Sequence, residues 1–261
     1  MSIWKVLGIG AAVGVGIGAL VLASGSAEAA ASEDNGVLED RTDRDGGETF
    51  DASGRDLIEE LGRRGGLTDE QIRFLVFVAR NESQFNTLAG RGDPDLQPPG
   101  LTYFADDTSE SRAAKRAFDR NRHIFEDCGH DESAYYFGSG GLFAFLPVYP
   151  LYHFRKTPLR CAHPYEVFDP AFAIAAAYSF ARGISQHPYF DGTVVELRAG
   201  WGGLGKMKDA NAYAGKLTLW RKQLRQLGID ERWLFAKAPQ FPKRDLMELY
   251  RSMGGTYGGV A

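Results

Sequence analysis

Apolar residues recur at helical spacing along much of the chain. The clearest case follows Thr68, which forms a capping-box pattern with Gln71 at the start of a helix. Apolar side chains then repeat every three or four residues, and most positions between them are apolar as well. We therefore predict a central helix that is buried on nearly all sides and leads directly into Glu82.

The same spacing, together with helix-start and helix-stop residues, predicts further helices. They begin near Arg55, cover residues 109–125, start at Asp169-Pro170, precede Gly228 and cover residues 245–253. No segment alternates convincingly with a period of two, as a strand would. The expected fold class is therefore mainly α.

The first 30 residues look like an export segment. Lys5 precedes an uninterrupted apolar run from Val6 to Ala23, and Ala27-Glu28-Ala29 resembles a small-residue cleavage site. The run reaches the lower limit for crossing a bilayer, so both a cleaved signal peptide and a retained membrane anchor are open. Either one predicts that the chain is exported, to the periplasm or to the outer face of the membrane.

Residues 31–54 form an acidic linker by composition, since they have few large apolar side chains to offset the entropy of ordering. Residues 1–54 hold three cationic and nine anionic side chains, so the remaining chain carries +2 of the overall net charge of −4. The overall net charge of −4 excludes a nucleic-acid binder that works through bulk charge. The small positive charge of the remaining chain is compatible with an anionic cell-wall substrate.

Two cysteines allow three interpretations. Cys128 and Cys161 form a disulfide if the domain lies outside the cytoplasm. They also occur as Cys128-Gly-His130 and Cys161-Ala-His163, so two thiolates and two imidazoles could hold a tetrahedral zinc ion. Free buried thiols are the third alternative.

Glu82 is the first candidate for chemistry. A carboxylate at the end of an apolar helix is expected to be partly desolvated, which favours the protonated form. A protonated carboxyl is what cleavage of a glycosidic bond needs, because the leaving oxygen must take up a proton. The alternative from position alone is an ordinary exposed glutamate at a helix end.

The segment Ala79-Arg80-Asn81-Glu82-Ser83-Gln84-Phe85-Asn86 resembles the Ala-x-x-Glu-Ser-x-Phe-(Asn/Asp)-Pro segment of the soluble lytic transglycosylases. In that family the Glu is catalytic and the neighbouring Ser helps to orient substrate. The resemblance therefore implies that Glu82 is the catalytic acid and base and that Ser83 contacts substrate. Thr87 stands where the family usually has Pro.

A second block, Gly138 to Pro147, is similar to Gly-x-x-Gly-Leu-(Met/Phe)-Gln-(Ile/Leu)-x-Pro of the same family. It implies substrate contacts at Gly141, Leu142 and Phe143. Ala144 occupies the position of a Gln that ordinarily binds substrate near the scissile bond, which puts affinity or rate in question.

Two later blocks follow in family order. The segment from Phe168 to Ala177 resembles a scaffold helix, Asp-Pro-x-x-Asn-Ile-x-x-Gly, with Ala at the Asn and Gly positions. Leu197 to Gly203 lies where the family has Ala-Tyr-Asn-Ala-Gly and aligns in two ways, through Arg198-Ala-Gly or through Trp201-Gly202. We choose Trp201 as a sugar-facing ring, with a core tryptophan as the alternative.

The resemblance implies a lysozyme-like domain over residues 55–205, with an insertion at about 90–135, and leaves residues 206–261 as a C-terminal helical extension. The implied reaction cuts the β-1,4 bond after N-acetylmuramic acid in peptidoglycan and forms a 1,6-anhydro ring without cofactor or metal. A hydrolase would need a second carboxylate, for which Asp93 and Asp95 are candidates, although both lie in a turn-rich loop.

A non-catalytic function is the alternative to both the transglycosylase and the hydrolase. The chain would then be a wall-binding or structural virion protein whose active site has decayed, as Ala144 suggests. Glycan strands are the expected partner, together with the membrane if the N-terminal segment is retained, and virion or envelope proteins are further candidates. The divergent blocks and the glycine-rich leader favour a phage or virion origin over a bacterial housekeeping enzyme.

Overall fold

The computed structural model describes residues 54–87, 109–136, 139–188, 190–202 and 210–257. The expected export segment and nearly all of the expected linker lie outside these ranges, as do Asp93 and Asp95. Within the described ranges, no helix has the length and the apolar character needed to span a bilayer.

The described chain is mainly helical, which confirms the expected class. Its β pairing is limited, within the described ranges, to two isolated bridges, Gly140 with Phe145 and Thr193 with Lys237. Single 3₁₀ turns lie at Glu132–Tyr135, Pro158–Cys161, Pro164–Phe168 and Glu231–Phe235. The α-helices are α1 (Gly54–Arg64), α2 (Asp69–Glu82), α3 (Ser109–Phe125), α4 (Val148–His153), α5 (Pro170–Ser185), α6 (Val194–Trp201), α7 (Ala210–Gln226) and α8 (Leu246–Ser252).

Local capping explains where the long helices begin. The Thr68 side chain accepts from the Gln71 amide and the Gln71 side chain accepts from the Thr68 amide, so the expected capping box is present at α2. At α5, the Asp169 side chain accepts from the Phe172 amide at 3.0 Å and Pro170 occupies the first turn. Both helix starts were predicted from these residues and are confirmed.

The core is built around two helices rather than one. α2 is buried from Gln71 to Ala79 except at Arg73, as expected for a helix that is apolar on nearly all sides, and α5 is buried from Ala171 to Tyr178. α1 and α7 pack on α2, while α4, α6 and α8 pack on α5. Residues 210–257 therefore pack on the domain, and they contribute core side chains, among them Trp220, Leu224, Leu234 and Leu249.

Two short helices, α4 and α6, were not predicted. In α6 every residue from Val194 to Ala199 is buried, so no polar face marks a helical period. α4 has six residues and contains Pro150, so it offers too short a pattern to detect. Both form because the surrounding core buries them, a tertiary effect that local sequence does not encode.

Cys128 and Cys161 form a disulfide with an Sγ–Sγ distance of 2.03 Å. Because both thiols are consumed, the zinc alternative and the free-thiol alternative are wrong. The histidines have other roles: His130 Nε2 bonds the Cys161 carbonyl oxygen at 2.9 Å, and the His163 side chain accepts from the Tyr165 amide. The disulfide ties the turn after α3 to the 3₁₀ turn Pro158–Cys161.

The interface between α4 and α5 contains a histidine. The ring of Phe154 packs against that of Phe172, with ring centroids 4.7 Å apart. Next to it, His153 Nδ1 and Ser179 Oγ form a hydrogen bond of 3.0 Å. Burial, assisted by the nearby Arg155 guanidinium, lowers the pKa of His153 to about 4 from its usual 6.5. The imidazole is therefore neutral in the folded protein at pH values where it is protonated in the unfolded chain.

This difference predicts a pH-dependent stability. Below about pH 6.5 the unfolded chain takes up a proton at His153 that the folded protein does not, so stability is lost as the pH falls towards 4. Between pH 7 and pH 5 the loss from this group is about 2 kcal/mol. Urea unfolding at both pH values should therefore show a larger drop for wild type than for His153→Gln, and equal drops would contradict the assignment.

Candidate active site

Glu82 ends α2 with 23% of its side chain exposed. Its Oε1 accepts from Arg198 Nη2 at 2.6 Å and from Asn81 Nδ2 at 3.2 Å. Oε2 accepts no hydrogen bond from any residue in the described ranges. One carboxylate oxygen is thus held by two donors, and the other has no donor among the described residues.

Arg198, on α6, is the main partner of Glu82. Its side chain is only 3% exposed, and its guanidinium carbon lies 5.5 Å from the centre of the Trp220 ring. Burial lowers the pKa of Arg198 and the Glu82 carboxylate opposes that shift. A guanidinium at this depth needs an anionic acceptor, so the ion pair is a structural requirement of the site as well as a neighbour of the candidate acid.

Two side-chain amides, those of Asn81 and Gln223, form a hydrogen-bonded chain that ends at the Glu82 carboxylate. Gln223, from α7, is buried and donates through Nε2 to Asn81 Oδ1 at 3.0 Å, while Asn81 donates to Glu82. Gln223 Oε1 and Arg198 Nε are buried and have no hydrogen-bond partner among the described residues. Buried polar atoms are normally paired, so these two mark the surroundings of Glu82 as unusual.

Ser83 connects the end of α2 to the second sequence block. Its hydroxyl donates to the Leu142 carbonyl oxygen at 2.8 Å, across 59 residues of chain. The residue therefore holds two backbone segments together beside Glu82.

The chain that leaves α2 has an uncommon backbone. Gln84 and Phe85 both have positive φ, of 54° and 71°, in a backbone region that residues other than glycine rarely adopt. The Phe85 carbonyl oxygen also comes so close to Gly54 that a Cβ there would lie 2.0 Å from it. Such conformations persist when the surrounding structure fixes them, and they occur often at functional sites.

The second block forms a tight turn. Gly140 and Phe145 exchange backbone hydrogen bonds of 3.0 Å in both directions. Gly141, with φ 71°, passes close to the 3₁₀ turn before α5, where a Cβ would lie 2.1 Å from the Val167 carbonyl oxygen. Ala144 also has a positive φ, of 48°, within this turn. Gly141 is thus required by both conformation and close approach.

Three of the residues expected to contact substrate have their side chains in the core. Leu142 and Phe143 are each 1% exposed, so only their backbone could reach a sugar. Trp201 is 5% exposed and packs against the rings of Phe143 and Phe180. It is the core tryptophan of the alternative interpretation rather than the sugar-facing ring that we expected.

Sequence reasoning missed Arg198, Asn81 and Gln223 as neighbours of Glu82. The fourth block left two alignments open, and the structure places Arg198, not Trp201, against the carboxylate. A signal was present for Arg198, because it is the one cation in an otherwise largely apolar stretch, Val194–Trp201, and a cation in such a stretch needs a partner. Nothing local pointed to Gln223, which is 142 residues from Asn81.

The described residues offer no metal site at Glu82. Their one cluster of potential ligands is Asp127, Cys128 and Cys161, and its two sulfurs form the disulfide. Comparisons of the chain with family models, with curated proteins and with solved structures give no match.

Gly141→Ala should destabilise the protein strongly. The added methyl group meets the Val167 carbonyl oxygen in a left-handed conformation, so we expect a loss of about 2–4 kcal/mol in the free energy of unfolding. Gly129→Ala is a matched control, because Gly129 has φ 73° but open space around its Cβ position, and it should lose only about 1 kcal/mol. Equal losses in urea unfolding would show that the close approach is absent.

A double-mutant cycle tests the ion pair. Glu82→Gln and Arg198→Met should each lower the free energy of unfolding, and the double variant should lose less than their sum, with a coupling of about 1–3 kcal/mol. The exposed pair Glu60 and Arg64 is the control, for which a coupling below about 0.5 kcal/mol is expected. Additive losses at Glu82 and Arg198 would refute the buried pair.

Proposed function

We propose that this chain is a peptidoglycan lytic transglycosylase with a lysozyme-like domain, in which Glu82 acts as acid and then as base. The observation that carries the proposal is the contact between the two most specific family-like blocks, which meet through the hydrogen bond from Ser83 to the Leu142 carbonyl beside Glu82. The free Oε2 of Glu82 is the oxygen that would face the scissile bond.

The reaction needs one carboxyl group in two protonation states. In the first step, Glu82 protonates the glycosidic oxygen as the bond to C1 of N-acetylmuramic acid breaks, which frees the 4-hydroxyl of the leaving sugar. In the second step, the Glu82 carboxylate accepts the proton of the C6 hydroxyl as its oxygen bonds to C1. The product is a 1,6-anhydro ring, and Glu82 recovers its proton.

Arg198 and Asn81 suit this cycle as positioning residues. Both donate to Oε1, so they fix the carboxyl plane and leave Oε2 to exchange the proton. The buried guanidinium stabilises the carboxylate that exists between the two steps. Arg198 is itself fixed in the core and Asn81 is held by Gln223, and a single-carboxylate mechanism requires such fixed positioning groups.

One observation favours a second candidate, a wall-binding or structural virion protein that no longer turns over. A carboxylate that is paired with a guanidinium at rest accepts hydrogen bonds, whereas a general acid must give a proton. Ala144 also favours this candidate, because it stands at the position of the family's substrate-binding Gln. Under either candidate the partner is the glycan strand, and the disulfide fits an oxidising compartment outside the cytoplasm.

Glu82→Gln should abolish release of soluble fragments from purified murein sacculi, with a rate loss of at least about 10²-fold, because an amide can neither give nor take the proton. Glu60→Gln makes the same chemical change at an exposed ion pair and should keep wild-type activity. The folded state of both variants is checked by circular dichroism. Inactive wild type, or a Glu82→Gln protein as active as wild type, would reject the mechanism and support the non-catalytic candidate.

The product identifies the reaction. Mass spectrometry of the released muropeptides should find 1,6-anhydro ends that are 18 Da lighter than hydrolysed ends, about the mass of one water that the intramolecular step does not consume. Reducing N-acetylmuramic acid ends would instead indicate a muramidase. In that case Asp93→Asn and Asp95→Asn would show which carboxylate assists Glu82.

A further inference from the structure

A cleft of about 580 Å³ lies beside the C-terminal half of α5, and none of its lining residues belongs to the site around Glu82. The end of α4, one face of α5 and the loop that leads into α8 form its walls. Five cationic side chains line it: Arg155, Lys156, Arg182, Lys243 and Arg244.

These cations are not neutralised by carboxylates. The single acidic lining residue, Asp245, caps α8, where its Oδ1 accepts from the Met247 and Glu248 amides. None of the five cations forms an ion pair with a carboxylate in the part of the chain that the structure describes. The neighbouring Arg160, by contrast, is neutralised by Asp127. The cleft therefore concentrates positive charge that no carboxylate of the described residues neutralises.

Two of the guanidinium groups act on one tyrosine. The Arg244 guanidinium carbon lies 5.9 Å from the centre of the Tyr178 ring. Burial raises the pKa of Tyr178, and the positive charges of Arg244 and Arg182 both oppose that rise. Arg244 Nη1 donates to the Gly65 carbonyl oxygen at 2.7 Å, which fixes its position. Arg182 Nε is buried without a hydrogen-bond acceptor among the described residues. Holding these charges together works against folding, because like charges repel.

Neutral polar groups complete the lining. The Ser179 hydroxyl and the His153 imidazole, which hydrogen-bond each other, both line the cleft. A hydroxyl can donate to an anion without adding charge, and several guanidinium forks suit an oxyanion with three or more oxygens better than a carboxylate with two.

We propose that this cleft binds a phosphate-bearing ligand, with Arg155, Arg182 and Arg244 holding the phosphate oxygens and Lys156 and Lys243 at the exposed rim. The site is independent of the function proposed for Glu82, because the two share no residue. Inorganic phosphate and a phospholipid headgroup present the same chemistry, so both serve as probes.

Phosphate binding to the full chain is measured by titration calorimetry and by thermal unfolding, with sodium chloride added to keep the ionic strength constant. Wild type should bind phosphate and unfold at a higher temperature in its presence. Lys156→Gln combined with Lys243→Gln should weaken binding by about tenfold or more, since two of the five positive charges that attract the anion are lost. The same variant should unfold at the wild-type temperature or above it when phosphate is absent, because repulsion within the cleft is relieved.

The control removes the same charge elsewhere. Arg221→Gln combined with Arg225→Gln changes two cations on α7 that pair with Glu231, and this variant should bind phosphate as wild type does. The proposal is overturned if wild type shows no binding, if the cleft variant binds as tightly as wild type, or if the α7 variant loses as much affinity as the cleft variant.

The source of the phosphate is then separated with phosphatidylcholine vesicles that contain or lack phosphatidic acid. Recruitment that depends on phosphatidic acid and is lost in the cleft variant indicates a lipid headgroup. Binding of inorganic phosphate without vesicle recruitment indicates a soluble phosphorylated ligand. Both results support the site, and neither depends on glycan cleavage.

Discussion

Burying the guanidinium of Arg198 is the constraint on which the arrangement around Glu82 depends. A cation with 3% of its side chain exposed must have an anionic partner, or the cost of desolvation is not offset. Glu82 supplies that partner from α2, and Trp220 covers the guanidinium from α7. Because the three side chains come from three helices, one buried charge holds α2, α6 and α7 relative to one another.

Steric constraints act on the other side of the carboxylate. Gly54 and Gly141 each lie against a carbonyl oxygen with no room for a side chain. Ser83 ties the end of α2 to the turn that contains Gly141. The left-handed Gln84 and Phe85 are held within this contact region. Glu82 thus rests on a backbone that is fixed from two directions, which suits the role of acid and base that we propose for it.

The parts of the fold that could be predicted are those set by local interactions. Thr68 with Gln71, and Asp169 with Pro170, identify two helix starts because the capping groups lie within three residues of each other. The disulfide could be named as one of three alternatives, since compartment and not spacing decides among them. The α6 helix could not be predicted, because burial on all sides removes the polar face that would show a period.

The surroundings of Glu82 were predicted only in part, and its catalytic role stays a prediction. Trp201 was chosen because aromatic rings cover sugars, yet aromatic rings also fill cores, and the rings of Phe143 and Phe180 around Trp201 make it a core residue. Arg198 lies 116 residues along the chain from Glu82, and Gln223 lies 142 residues from Asn81. No local sequence pattern therefore joins either residue to the site.

The supports of Glu82 also come from beyond the family-like blocks. Those blocks end near residue 205, whereas Trp220 and Gln223 lie on α7 and complete the contacts of Arg198 and Asn81. A chain that ended at residue 205 would leave the Arg198 guanidinium without its covering ring and Asn81 without its partner. Trp220 and Gln223 are therefore part of the structure that holds Glu82, although they lie outside the four blocks.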